Sequence, residues 1–370
     1  MNADRLHALL KLLQKDLKQT GLPQKLTKLS QALQQLVQNQ HPNYQQAVGT
    51  SLKETIAAAE KSEIDDLSPA WLEMIDEIGY SEFLGTNVVD ILNETFKQAS
   101  VTPTLVKDEV DILTKKINEL NDAATQVISA FGKLSIGSED LDPGKCELGF
   151  MIPRSAIDYR LDAFADECKD FDFIFGTFSE IVTGERSHYR INTISSSDLS
   201  VFLDSAPTVA AAVTIAAERI LAVYKQMLEI RKSRAELLTQ DLPKDAFDKI
   251  DENVNSRMYK AIEEVSDDII DQHKSKHQNG RDNELKNGLR IALKKLANRI
   301  DRGFHIEVRI GELPEPEDGE EVDEELAEHS EIIKGASKSL EFIHLEGEPM
   351  LQLKEEASPP TTKKTAKKAG

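Results

Sequence analysis

Two stretches of the sequence repeat apolar side chains at alternating steps of four and three residues, and this period constrains the fold more than any other feature. The first seam runs over 106–134 and the second over 209–230. A 3.5-residue period keeps one side of a helix against a partner helix along its whole length. The first seam consists of Val106, Val110, Leu113, Ile117, Leu120, Ala124, Val127, Phe131 and Leu134, and the second of Val209, Val213, Ala216, Ile220, Val223, Met227 and Ile230. The pattern predicts long helices that pack along their length.

The partner of each seam is either another helix of the same chain or a helix of a second copy. The residues that flank the seams do not alternate glutamate and lysine, which is the pattern that specifies a free coiled-coil dimer. Packing within the chain is therefore favoured. Ahead of the first seam, leucines at helical spacing on both sides of Gly21 and Pro23 predict an αα-hairpin. We expect residues 1–134 to form a helical bundle.

The middle of the chain mixes strands with helices. Residues 135–144 are rich in Ser, Gly, Asp and Pro and predict a linker. The pattern after it predicts a strand over 146–152, a helix ending at Gly184, a hairpin over 189–203 and one long helix from about 205 to 239. This β-α-β-β-α order indicates a small antiparallel sheet covered by helices.

The predicted domains follow one another along the chain. After the bundle and the linker come an α+β unit over 145–278, a small α+β region with an acidic loop over 279–353, and a disordered lysine-rich tail over 354–370. A strand over 304–310 and a hairpin from 340–345 and 350–353 predict a small C-terminal antiparallel sheet. The predicted fold class is mainly α with a smaller α+β part. It combines an N-terminal helical bundle, a central β-α-β-β-α unit with long amphipathic helices, and that small sheet.

Composition limits the partners and the compartment. With 65 acidic against 45 basic side chains, the chain has a formal charge of -20, which repels nucleic acid from most of the surface. Only Cys146 and Cys168 are present, so a secreted disulfide scaffold is not expected and a cytoplasmic location is predicted. The most membrane-like window, 206–223, contains Glu218 and Arg219. We therefore expect no integral membrane segment.

The sequence lacks the linear motifs of nucleotide, zinc and serine-hydrolase sites. There is no GxxxxGK[ST], no GxGxxG between a strand and a helix, no closely spaced cysteine pair and no GxSxG. No cofactor is therefore expected. His273 and His277 are weak metal candidates, because a spacing of four places both on one face of a helix. The last turn of a helix with Lys274 and Lys276 interleaved explains the same pair without a metal.

One predicted helix has more basic than acidic residues, although the chain as a whole is acidic. Over 281–302, leucines occupy one face and Arg290, Lys294, Lys295 and Arg299 project from another. One interpretation is an anion site for nucleic acid, acidic lipid or an acidic partner. The other is a solvated face, or a face neutralised by the acidic run over 315–331. The second is favoured because no aromatic side chains for base stacking are interleaved.

Three functions remain after these exclusions. The first is a non-enzymatic soluble adaptor that binds a protein partner or a second copy through its heptad helices. Such an acidic adaptor would suit a bacterial stress or phage-defence operon. The second is a nucleic-acid or anionic-surface binder that uses the basic helix 281–302. The third is a metal-assisted hydrolase near His273 and His277, and an enzyme is the less favoured class.

Overall fold

A computed structural model describes most of the chain, in the ranges 3–98, 102–137, 141–195, 199–238, 248–274, 281–313, 323–340, 345 and 347–354. Over these ranges the chain forms twelve α-helices and one four-stranded antiparallel sheet, with three short 3₁₀ turns. The prediction of a mainly α protein with a smaller α+β part is confirmed.

The chain divides into two compact units, each assembled from three separate stretches. Unit 1 contains Met1–Ile152, Arg190–Thr214 and His305–Phe342, and unit 2 contains Pro153–Tyr189, Ile215–Phe304 and Ile343–Gly370. The sequence suggested consecutive domains instead, because composition reveals linkers but not which distant strands pair. Each stretch of unit 1 contributes at least one strand to the sheet, and this pairing unites them.

Unit 1 begins with six helices: α1 (Ala3–Thr20), α2 (Leu22–Gln38), α3 (Pro42–Ala59), α4 (Pro69–Glu77), α5 (Thr86–Gln98) and α6 (Pro103–Lys133). Gly21 separates α1 from α2 with a φ of 65°, a left-handed conformation that glycine adopts without strain. The seam of α6 is buried from Val106 to Ala124, and α6 packs against α1 and α2. The bundle therefore covers most of its own first seam, and only its end at Leu134 is exposed.

The sheet of unit 1 has the strand order β2-β3-β1-β4, where the strands are β1 (Cys146–Met151), β2 (Ile191–Ser195), β3 (Ser200–Ser205) and β4 (His305–Ile310). Leu148 of β1 lies opposite Leu203 of β3 and Val308 of β4, so alternate residues build one apolar face. The strand predicted over 304–310 thus joins the central sheet, not a separate C-terminal sheet. Its apolar alternation matches that of β1, and this match sets the register.

The other half of the predicted C-terminal sheet does not form strands in the described residues. Residues 341–344 lie outside the described ranges, and 350–353 have neither helix nor strand geometry. The acidic run leads instead into α12 (Glu324–Ser337), which packs against β4. The Asp323 carboxylate accepts the Leu326 backbone N–H at 3.0 Å, and this N-cap fixes the start of the helix.

Unit 2 contains α7 (Leu161–Thr183), the second part of α8 (Pro207–Lys225), α9 (Leu228–Leu238), α10 (Asp248–Gln272) and α11 (Asp282–Asp301). Helices α7 and α10 pack against α11. The single long helix predicted to residue 239 is wrong, since a turn at Gln226 and Met227 separates α8 from α9. No glycine or proline marks this break. The buried Met227 accepts the Arg231 backbone N–H, which begins the second helix.

Helix α8 is the one described helix that is long and apolar enough to cross a membrane. Its most apolar window is 61% buried inside the protein, as in a core helix of a soluble protein. Arg219 on this helix pairs with Asp268 of α10 at 2.6 Å. The described residues therefore contain no clear integral membrane segment.

Candidate functional site

An extended segment near the C-terminus lies along the helices of unit 2. We call this segment, Gly347–Lys354, the strap, and the surface of α9, α10 and α11 that it contacts the strap groove. The strap forms no helix or strand, and side chains of these three helices accept or donate hydrogen bonds to its backbone. A polypeptide is thus held by its main chain.

Two asparagines each bind the strap backbone through both atoms of the side-chain amide. Asn255 of α10 donates to the Met350 carbonyl at 3.3 Å and accepts the Gln352 N–H at 2.8 Å. Asn298 of α11 donates to the Leu353 carbonyl at 2.9 Å and accepts the Leu353 N–H at 3.3 Å. A primary amide matches one donor and one acceptor of a peptide, so this recognition does not depend on the side chains of the strap.

A buried charged group holds the other end of the strap. Asp301 at the end of α11 accepts the Leu351 N–H at 2.7 Å, and Arg231 of α9 donates to the Gly347 carbonyl at 2.6 Å. Arg231 and Asp301 also pair with each other at 2.9 Å. The Tyr224 hydroxyl donates to Asp301 at 2.6 Å. One ion pair therefore presents both an acceptor and a donor to the main chain.

Burial sets the protonation behaviour of this group. Burial raises the pKa of Asp301, and the bonds from Tyr224, from the Leu351 N–H and from Arg231 act in the opposite direction. Burial is also the largest cause that raises the pKa of Tyr224, with the Asp301 charge next. Tyr224 therefore stays a neutral donor at neutral pH, and the strap N–H is one of the groups that stabilise the Asp301 carboxylate.

Three strap side chains are buried and the rest face solvent. Met350, Leu351 and Leu353 are buried, while Gln352 and Lys354 are exposed. Full burial of an apolar side chain of this size stabilises by about 1.5 to 3 kcal/mol. These three side chains anchor the strap, and the hydrogen bonds fix its register.

The strap also approaches α9 closely at its first residue. Gly347 has a φ of 82°, and a Cβ added there would lie 2.8 Å from the Ala235 Cβ. Both the backbone conformation and the close contact favour glycine at this position. The strap groove therefore selects a small residue at one end and apolar residues at the other.

The two outer basic residues predicted as an anion site lie on α11 with partners on α10. Arg290 pairs with Glu263, and the Lys294 ammonium lies 5.4 Å from the centre of the Tyr259 ring. Both side chains are half-buried. Each of these two cations therefore already has an acidic or aromatic partner within unit 2.

The two inner basic residues are buried against α7. Lys295 binds Asp170 at 2.9 Å, and Arg299 binds Glu167 at 2.7 Å and also contacts Asp170. Burying a cation is unfavourable unless a carboxylate is close. The structure brings all four predicted residues onto one helix, but it partners them with carboxylates of α7 and α10 and with a tyrosine of α10. These partners belong to α7 and α10, and not to the acidic run over 315–331 that was expected to neutralise the basic residues.

The predicted histidine pair is described only in part. His273 follows the last residue of α10, whereas His277 lies outside the described residues. Among the residues that the structure describes, no group of three or more His, Cys, Asp and Glu side chains is placed to hold a metal ion. The metal site at this pair stays a prediction.

A second buried charged cluster lies on the polar face of the sheet in unit 1. Arg5 of α1 pairs with Glu307 of β4 at 3.0 Å, and the Ser68 hydroxyl donates to the other Glu307 oxygen at 3.1 Å. A small cavity, partly open to solvent, adjoins Ser68, His305 and Glu307. An activated serine donates to a free base, but Glu307 is already paired with Arg5. The cluster is therefore a structural one.

Sequence reasoning missed Asn255, Asn298 and Asp301. Asparagine is a poor helix former because its side chain competes for backbone bonds. Asn255 inside α10 is thus a weak signal of a bonding role, whereas Asn298 lies in the last turn of α11, where asparagine is common. Nothing in the linear sequence places them opposite residues 347–354.

No protein family model, no curated protein and no solved structure matches this chain. The geometry of the chain itself therefore carries the proposed function.

Proposed function

We propose that the chain is a non-enzymatic interaction protein of the cytoplasm whose unit 2 binds an extended polypeptide in the strap groove. One observation carries the proposal. Asn255 and Asn298 each satisfy a donor and an acceptor of an extended main chain, and three buried apolar side chains lie between and beside these bonds. Backbone bonds supply affinity and side-chain positions supply specificity in peptide recognition of this kind.

The support for protein binding comes from the strap groove and not from the heptad helices. The seam of α6 is buried against α1 and α2, so its apolar residues stabilise unit 1. The strap groove differs because its bonding groups face a main chain that no regular secondary structure holds in place. An adaptor role in a bacterial stress or phage-defence operon remains compatible with this mode of binding.

The two alternative functions have less support. The four basic side chains of α11 have partners within unit 2, which reduces the positive potential available to a nucleic acid or an anionic surface. A metal-assisted hydrolase needs a ligand set, and His277, the predicted companion of His273, lies outside the described residues.

Binding of the strap sequence in trans tests the proposal. A labelled peptide of residues 347–354, GEPMLQLK, is titrated into the full chain carrying Leu351→Ser and Leu353→Ser, which weakens the internal strap. We expect saturable binding measured by fluorescence anisotropy, and no binding of a scrambled peptide. Circular dichroism checks that the double variant is folded. If it is not, Gly347→Ala replaces it, because the added Cβ disturbs the strap at one end.

Matched variants locate the binding site. Added to the same background, Asn298→Ala should weaken peptide binding by about tenfold, because a lost bidentate hydrogen bond costs about 1 to 3 kcal/mol. Asn287→Ala, an exposed asparagine on the same helix, is the control and should leave the affinity unchanged. A folded chain that binds both peptides equally, or neither, would overturn the proposal.

A further inference from the structure

We infer that the strap is an internal competitor that occupies the strap groove until a partner segment of the same pattern displaces it. This inference rests on the proposed function, since it concerns regulation and partner choice at the same groove. The partner segment has a glycine, two adjacent apolar residues three and four positions later, and a third apolar residue after one polar position. These positions correspond to Gly347, Met350, Leu351 and Leu353.

Part of the strap groove keeps its bonds within unit 2 when the strap leaves. Asp301 remains bonded to Arg231 and Tyr224, so its charge keeps a partner. Asn255 also donates to the Asp251 carbonyl at 2.7 Å, which holds its side chain in position within its own helix. These groups therefore stay in position for a second occupant, which regains the hydrogen bonds and apolar contacts that the strap gives up.

The strap is also held by few contacts that depend on secondary structure. Its described residues belong to no strand or helix, so releasing it breaks no ladder of secondary-structure bonds. Glu348, Gln352 and Lys354 are exposed and leave only three anchoring side chains. A segment held in this way resembles a bound peptide that happens to be tethered, and local release at such a place is less costly than unfolding a core helix.

A tethered occupant lowers the apparent affinity of any competitor. The effective concentration of a segment attached by a short chain is in the millimolar range, so a free peptide must compete with it. The apparent dissociation constant rises in inverse proportion to the fraction of molecules in which the groove is empty. The strap therefore sets a threshold for partner binding.

The contact at Gly347 gives the partner its most selective position. A side chain there meets the Ala235 Cβ at 2.8 Å and must adopt a positive φ. The buried Met350 and Leu353 tolerate other apolar residues of similar volume, since such exchanges cost little. The partner class is therefore an extended peptide with a fixed glycine and variable apolar anchors.

The decisive experiment compares the wild-type chain with the strap-weakened chain, Leu351→Ser with Leu353→Ser, using the labelled GEPMLQLK peptide on both. We expect the wild type to bind at least about tenfold more weakly. Gln352→Ser, at an exposed strap position, is the matched control and should behave as the wild type. Where the double variant fails to fold, Gly347→Ala in the full chain takes its place.

The outcomes separate the inference from the proposed function. Equal affinity for the wild type and the strap-weakened chain overturns the competitor inference, although peptide binding itself stands. Binding to neither folded chain overturns both. A peptide with alanine in place of its glycine should bind at least about tenfold more weakly to the strap-weakened chain. Equal binding of the alanine peptide would overturn the partner pattern.

Discussion

Both units contain a buried arginine–carboxylate pair whose second carboxylate oxygen accepts a further hydrogen bond. In unit 1 Arg5 lies 3.0 Å from Glu307, and in unit 2 Arg231 lies 2.9 Å from Asp301. The pairs differ in what fills the remaining carboxylate oxygen. Glu307 accepts from the Ser68 side chain, whereas Asp301 accepts from the backbone N–H of Leu351 in the strap. The second pair therefore bonds to the main chain of the strap, the element that we propose a partner segment replaces.

The residues around the two pairs differ in the same way. The Arg5 guanidinium lies 3.8 Å from the centre of the Phe202 ring and 5.5 Å from that of Trp71, and Gly149 leaves the space that the Phe202 ring fills. Rings packed on a guanidinium exclude water and fix its orientation. The cluster of unit 1 is thus covered mainly by side chains of its own core, while that of unit 2 is covered on one side by the strap. A buried ion pair indicates a binding site only when some of its hydrogen bonds go to a segment that is able to leave.

Removing Glu307 should break the closed cluster and give the largest effect. Glu307→Ala deletes the carboxylate that the buried Arg5 guanidinium contacts, and breaking such a pair costs about 3 to 5 kcal/mol. Urea unfolding followed by circular dichroism measures this loss in the free energy of unfolding. Lys115→Ala, which removes an exposed pair with Glu119, is the control and should cost less than about 0.5 kcal/mol. A Glu307→Ala loss below about 1 kcal/mol would contradict a structural role for the cluster.

The sequence was sufficient for those parts of the fold that repeat. The seam of α6 and the two helices on either side of Gly21 follow from apolar spacing, and the end of α7 follows from Gly184, which has a φ of 83°. These signals are local, because helix periodicity and glycine conformation need no knowledge of distant residues. The class of the fold was predictable for the same reason.

The site was not predictable, because its bonds join distant residues. Asn298 contacts a residue 55 positions later, and Asp301 pairs with Arg231 70 positions earlier. Sequence reasoning favoured the charged side chains of α11, since charge can be read directly from the sequence. The structure shows that these charges find partners inside unit 2, whereas a neutral asparagine between them contacts a main chain. The break at Gln226 was missed because no turn residue occurs there.

Acidification should lower the free energy of unfolding by a smaller amount than removal of Glu307. His305, on the same strand as Glu307, is half-buried, and this burial lowers the pKa of its imidazole from 6.5 to about 4. The unfolded state therefore binds the proton first, so the stability that this group contributes is complete above pH 6.5 and is lost as the pH falls towards about 4. The loss is at most about 3 kcal/mol. Thermal unfolding of the wild type and of His305→Gln across this range should show the steeper decline in the wild type, and parallel declines would contradict the assignment.

Loosening the strap should give a smaller and more local effect. Asn298→Ala removes two bonds to Leu353, with an expected cost of about 1 to 3 kcal/mol. Because the strap is not part of the helices, we expect faster hydrogen exchange at the Leu351 and Leu353 amides and little change in α10. Asn287→Ala, at an exposed position of α11, should leave exchange unaltered. Uniformly faster exchange across unit 2 would show that the strap is an inseparable part of its core.

The smallest effect is expected from the half-buried basic side chains of α11. Arg290→Gln with Lys294→Gln should change the free energy of unfolding by less than about 1 kcal/mol, because pairs near the surface contribute little. Binding to a DNA duplex at low salt should be weak and equal for wild type and variant, since Glu263 already pairs with Arg290. A side chain that does neutralise a phosphate makes the slope of log K against log salt steeper by about one. A clear drop in affinity and slope in the double variant would make the basic side chains of α11, and not Asn298 and Asp301, the principal binding surface of unit 2.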